Sequence, residues 1–222
     1  MPRETFFHNL NDLKAELLTL GERANRTIAD GVDALKTRDR VMAHALIRGD
    51  AELNRIRYAI EENCYRMIAT QQPMASDLRE IIAILLIAIE LERIADHSKN
   101  LGEIVIHMGD EPLLKPLVDI PRMAAICQEM LSQSLDAFAR RDADAGRAVC
   151  NRDDEIDNLY TQVFRELLTY IMEDSRTVTR ALNLLFAAHN LERIGDRVTN
   201  IGERVIYAVT GRLEELNTER PE

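Results

Sequence analysis

The 222-residue chain is predicted to be all-α: two tandem, homologous three-helix bundles made of six long helices. Three observations carry this. Apolar residues recur at helical spacing along most of the chain. Turn formers are scarce, with nine glycines and six prolines. The second half repeats the first.

The helices follow in order. Phe6, Leu10, Leu13, Leu17, Leu20 and Ala24 alternate steps of four and three, one stripe of a first helix that breaks near Thr37-Arg38-Asp39. Leu53, Ile56, Ile60, Cys64 and Met67 mark a second, ending at Gln72-Pro73. The third contains the apolar run Ile81 to Ile89, closed by Glu80 and Glu90, and stops between Gly109 and Pro116. A fourth breaks at Arg141-Asp142. Ile156, Leu159, Val163, Leu167 and Ile171 mark a fifth, ending at Asp174-Ser175. The sixth opens with Ala181 to Leu191, which carries no charge. Helices three and six are apolar on every side over these stretches, so both are expected to be central and buried all round.

The midpoint break, Gly109-Asp110-Glu111-Pro112 with Lys115-Pro116, reads as a linker. It divides the chain into a unit at 1–109, a linker at 110–115 and a unit at 116–222. Leu91-Glu92-Arg93-Ile94-Ala95-Asp96 recurs as Leu191-Glu192-Arg193-Ile194-Gly195-Asp196, an offset of 100. Earlier in the chain the offset is 103: Ala34, Asp39, Asp50 and Glu52 match Ala137, Asp142, Asp153 and Glu155. The change places about three extra residues in the first unit, near Gln71-Gln72-Pro73.

Composition removes whole classes. Asp and Glu number 38 against 28 Lys and Arg, a formal charge of −10, where a nucleic-acid binder needs a basic footprint. No Walker A, G-x-S-x-G or H-E-x-x-H is present, so phosphoryl and acyl transfer lack their usual parts. Met1 to Asn9 has no apolar core of a leader, and the nine-residue run at Ile81 is too short for a bilayer, which takes about 20. Any membrane role is therefore expected to be peripheral. Three widely spaced cysteines, Cys64, Cys127 and Cys150, read as reduced, buried thiols of a cytoplasmic protein.

The acids have a pattern. Glu92, Asp96, Asn100 and Glu103 follow the apolar stretch of the third helix, and Glu192, Asp196, Asn200 and Glu203 that of the sixth. Steps of four, four and three keep each set within about 80° of helix surface. Like charges one turn apart repel by about 0.2–0.5 kcal/mol per pair, and more when desolvated. Three offsets are open: the arginines Arg93, Arg193 and Arg197; protonation of a buried carboxyl; or a hard cation, which wants converging oxygens. Further acids, Asp50 with Glu52 and Asp153 to Asp157, lie on the preceding helix of each unit, either facing the stripes or forming a solvated helix start. His97 is matched by Arg197 and is no repeated ligand. No Glu-x-x-His occurs, which weakens a second reading as a carboxylate-bridged metalloenzyme or metal store.

Two three-helix units, each with L-E-R-I-x-D-x-x-x-N in its third helix, resemble the PhoU family over about Phe6 to Arg212. The resemblance implies a cytoplasmic negative regulator of the phosphate-starvation response and of phosphate uptake. It implies an adaptor, not an enzyme, between the transporter ATPase subunit PstB and the sensor histidine kinase PhoR. It further implies metal at the acidic motifs, as iron, zinc, manganese or magnesium. Carried over, the ligands are Glu92 and Asp96, and Glu192 and Asp196, with Asn100, Glu103, Asn200, Glu203, Asp153 and Asp157 as further candidates. Gly195 matches the family pattern where the first copy has Ala95. Lys99, where the second copy has Thr199, places a cation beside the first stripe. Oligomeric state is open, with a homodimer among the partners considered.

Overall fold

The computed structural model describes residues 3–216; residues 1–2 and 217–222, the outer ends of the two expected units and the start of the Met1–Asn9 segment, lie outside it. Seven α-helices and no strand occur among the described residues: α1 (Arg3–Thr37), α2 (Arg40–Gln71), α3 (Ala75–Met108), α4 (Asp119–Arg140), α5 (Ala143–Cys150), α6 (Asp153–Glu173) and α7 (Val178–Thr210), with a 3₁₀ turn at Ser175–Thr177. Six are long, at 21 to 35 residues. The seventh, α5, has eight residues. It arises because the second helix of the second unit is interrupted at Asn151-Arg152, whereas α2 runs unbroken through the matching Gly49. The triplet Asp153-Asp154-Glu155 that follows forms the first turn of α6, where carboxylates suit the helix dipole.

The apolar stripes lie where their periodicity places them. All six stripe residues of α1 are buried, as are Leu53, Ile60, Cys64 and Met67 on α2 and Ile156, Leu159, Val163 and Leu167 on α6. Each fully buried Leu or Ile contributes about 2 kcal/mol of transfer free energy. The first corner of each unit is built alike. Arg38 and Arg141 both take φ 56°. The Asp39 amide donates to Ala34 O at 3.0 Å and the Asp142 amide to Ala137 O at 2.9 Å. Asp39 then accepts from the amides of Val41 and Met42, and Asp142 from that of Ala145. Such caps satisfy amides that the helix cannot, worth about 1 kcal/mol each. The extra residues are Gln72-Pro73-Met74, which join α2 to α3; the second unit passes from α6 to α7 through Asp174 and the 3₁₀ turn.

The two units face each other across a pseudo-two-fold axis, with α3 and α7 packed antiparallel at the centre. Asn25 Nδ2 donates to Gln128 O at 3.5 Å, and Gln128 Nε2 to Asn25 O at 3.2 Å. These positions are repeat equivalents, so the reciprocal pair sits on the axis. Off the axis, Arg197 lies 3.6 Å from Glu90, and its equivalent, His97, is 3.1 Å from Asn190, the equivalent of Glu90. α3 packs on α1, α2 and α7; α7 packs on α3, α4, α5 and α6. Burial is not complete around either helix. Ile82, Leu85, Leu86 and Ile89 of α3 are half-buried, and Leu182 and Phe186 of α7 are 38% and 54% exposed. A bundle of this size has no further layer of helices to cover the outer arc of its central pair.

Candidate functional site

Both acidic stripes form on α3 and α7, each met by the helix that precedes it, yet the two faces differ in charge. In the first unit Lys99 binds Asp96 and reaches Asp50 of α2, 3.7 Å away. Asn54, where the second unit has Asp157, donates to Asp50 Oδ2 at 3.1 Å. Burial pushes the Glu92 carboxyl above its ordinary value, opposed by the charge of Arg57 and reinforced by Asp96 and Asp50. The hydrogen bond that Lys99 donates to Asp96 raises the lysine in turn, so it stays charged. Asn100 leaves the stripe for the inter-unit seam, donating to Asn190 Oδ1 at 3.0 Å, and Glu103 is exposed. The first face thus holds Glu92, Asp96 and Asp50 against Lys99 and Arg57 within the chain.

The second face is more acidic and more enclosed. Glu192 is 7% exposed and Asp153 3%. The side chain of Asp196 is 16% exposed, against 49% for Asp96. Asp153 is carried there by the start of α6, pressed against the bare backbone of Gly195: a Cβ at Gly195 would stand 2.9 Å from Asp153 Oδ1 and 2.7 Å from Ile156 Cδ1. That approach explains glycine where the first unit has Ala95. Arg193 pairs with Asp196 at 2.9 Å, and His189 Nδ1 is 3.5 Å from Glu192. Thr199, in place of Lys99, is buried and brings no charge. Tyr160, in place of Arg57, is pushed up by burial and then by the Glu192 carboxylate. Asp157 and Asn200 are half-buried. Glu203 is engaged from outside the stripe, accepting the Leu216 amide at 3.0 Å.

These residues do not present a finished metal centre. Among the described residues no group of three or more His, Cys, Asp or Glu side chains is placed to hold one ion. Structural and catalytic zinc takes three or four protein ligands, and the arrangement does not supply them. Magnesium keeps several waters and takes one or two carboxylates, a smaller demand on the protein. The cysteines are buried thiols, with Cys64 and Cys150 pushed up to about 12 chiefly by burial.

Sequence reasoning missed two cross-unit contacts. Glu80, read only as the end of an apolar run, is buried and clamped by Lys14 of α1 and Arg141 of the α4–α5 corner. Glu90 and Arg197 were likewise hidden. The one available signal was a charged residue at the edge of an otherwise apolar stretch.

A duplicated all-helical unit, paired about an internal two-fold axis and bearing one carboxylate-rich face per copy, defines the class: a tandem-repeat helical bundle. The chain belongs to the PhoU family: the PhoU domain model matches twice, at residues 17–105 and 120–205. A Caulobacter vibrioides relative, a phosphate-specific transport system accessory protein PhoU homolog, is 40% identical over 98% of this chain and 94% of its own length. The Escherichia coli K12 phosphate-specific transport system accessory protein PhoU is 36% identical over 93% and 86%. The crystal structure of PhoU from Pseudomonas aeruginosa aligns with TM-score 0.89 at 38% identity, covering 93% of this chain and all of that one. The phosphate transport system regulatory protein PhoU from Streptococcus pneumoniae aligns with TM-score 0.88 at 30% identity, covering 95% and 99%.

Proposed function

We propose that this chain is a negative regulator of the phosphate-starvation response and of phosphate uptake, acting as a non-catalytic adaptor between the transporter ATPase subunit PstB and the sensor kinase PhoR. The relatives' names as accessory and regulatory proteins of phosphate transport support this reading. One observation carries the adaptor part. The two units share a backbone plan but bear chemically different faces, the first neutralised by Lys99 and Arg57, the second acidic. Two inequivalent faces on one rigid frame suit two different partners. Among the described residues no helix is long and apolar enough to cross a membrane; in this reading the protein works in the cytoplasm and meets the membrane complexes from their surface.

The cation of this reading is a hydrated divalent ion, magnesium or manganese ahead of zinc or iron, held weakly by Glu192 and Asp196 with Asp153 and Asp157 behind them. The experiment for the regulatory role is deletion of the gene, with any second copy removed, followed by alkaline phosphatase assay in phosphate-rich medium. Derepression is expected; continued repression overturns the proposal. Co-purification with PstB and PhoR, measured separately for variants of each face, assigns the partners.

A further inference from the structure

Gly49 of α2 borders a cavity of about 190 Å³ between α1 and α2. Nothing lies within 4 Å of its Cβ position. The walls are apolar, with Met42, Leu46 and Leu53, and the acids are Asp30 of α1 and Asp50 of α2. Asp50 Oδ2 is engaged by Asn54 and Lys99, whereas Oδ1 is buried and meets no hydrogen-bond donor. Asp30 is in no ion pair or hydrogen bond among the described residues. The volume exceeds the ~150 Å³ that holds a benzene-sized group.

The second unit shows what the corresponding space holds. The repeat equivalent of Gly49 is Arg152, and that of Asp30 is Gln133. The Arg152 guanidinium donates to Gln133 Oε1 at 3.2 Å, to Glu129 Oε2 at 3.1 Å and to Glu155 Oε1 at 3.0 Å. The repeat thus fills this place with a guanidinium of its own chain, laid onto α4. The first unit lacks that side chain and carries a carboxylate, Asp30, where the amide of Gln133 stands. A carboxylate holds a guanidinium more strongly than an amide does. Glu52, the equivalent of Glu155, is already taken by Arg55 and Arg23. Arg26, the equivalent of Glu129, is exposed and stands outside the cavity lining. The apolar walls suit the methylene stem of an arginine, which packs on such surface while its head stays polar. The guanidinium fork, unlike the point charge of lysine, matches a carboxylate. Free arginine would bring its own α-carboxylate into an acidic site, so an arginine within a polypeptide fits better.

We propose that the cavity at Gly49 is a socket for an arginine side chain of a partner polypeptide, with the guanidinium on Asp30 and the stem against Met42, Leu46 and Leu53. The inference stands apart from the regulatory reading above. Titration of the isotope-labelled full chain with N-acetyl-arginine N-methylamide, followed by amide NMR shifts, tests it. Shifts confined to the surroundings of Gly49 and Asp30 are expected, saturating with a Kd of about 1 mM, the scale of one small group. Asp30→Asn is expected to weaken binding about tenfold. Gly49→Arg, which restores the side chain of the second unit, is expected to abolish it. Circular dichroism melting confirms the folding of both variants. Glu62→Gln, which removes an exposed acid elsewhere on α2, is expected to bind as wild type does. The proposal is overturned by shifts that do not saturate below about 20 mM or that spread over the acidic surface. It is overturned equally by Asp30→Asn or folded Gly49→Arg binding as wild type does, or by the lysine analogue of the probe binding as tightly. Binding of agmatine about tenfold tighter than the blocked arginine would assign the socket to a free amine and overturn the partner reading.

Discussion

Gly202 holds a close approach between α5 and α7, and Gly202→Ala measures how tightly the second acidic face is framed. A Cβ there would lie 2.5 Å from Cys150 Sγ and 3.1 Å from the backbone oxygen of Gly146. The facing Gly146 is equally bare, its own Cβ position standing 3.3 Å from Gly202 O. Two effects oppose. Alanine in a helix interior is favoured over glycine by about 1 kcal/mol. Overpacking costs about 1–3 kcal/mol, and the upper end applies because the Gly146 oxygen belongs to a helix backbone that cannot rotate away. The net is a loss of about 1–2 kcal/mol, or about 2–8 °C in Tm at ~2–4 °C per kcal/mol for a chain of this size. Gly49→Ala is the control. Nothing lies within 4 Å of its Cβ position in α2, so propensity acts alone and Tm should rise by about 2–4 °C. Thermal unfolding followed by circular dichroism reads both. If Gly202→Ala melts at or above the wild-type temperature while Gly49→Ala behaves as expected, the α5–α7 packing argument is wrong.

Three further outcomes follow from the two faces and the clamp. Burial raises the Glu92 carboxyl, so the native state holds this proton more tightly than the unfolded chain, and stability falls as pH rises through that window. Glu92→Gln should therefore exceed wild type in denaturant stability at pH 7 and lose that advantage below about pH 4; an equal gain at both pH values would refute it. Glu192→Ala with Asp196→Ala should lower bound metal more than Glu92→Ala with Asp96→Ala, because Lys99 already occupies the first face; elemental analysis after identical loading decides, and Lys99→Thr should raise first-face manganese binding in titration. Glu80→Ala should cost only about 1–2 kcal/mol, less than the 3–5 kcal/mol of a stranded buried charge, since Lys14 and Arg141 are 28% and 42% exposed and can turn to water; guanidinium unfolding measures it.

Periodicity, duplication and composition were enough to determine the helical class, the pairing of equivalent residues and an insertion of about three residues near Gln71-Gln72-Pro73, which the helix ends then placed at Gln72-Pro73-Met74. These are one-dimensional properties: a helix repeats every 3.6 residues, and burying one of its faces leaves that period in the sequence. The asymmetry between the faces was half legible, because Lys99 and Thr199 differ in the sequence itself. What Lys99 touches was not. Its contact with Asp50 joins residues 49 positions apart, and Asp153 reaches Gly195 only because α6 starts afresh at Asn151-Arg152. Tertiary packing alone decided those contacts, the buried clamp on Glu80 and the exposure of Phe164, Leu168 and Phe186. A side chain's apolarity states what it would gain by burial; whether a neighbour arrives to bury it depends on helices distant in sequence.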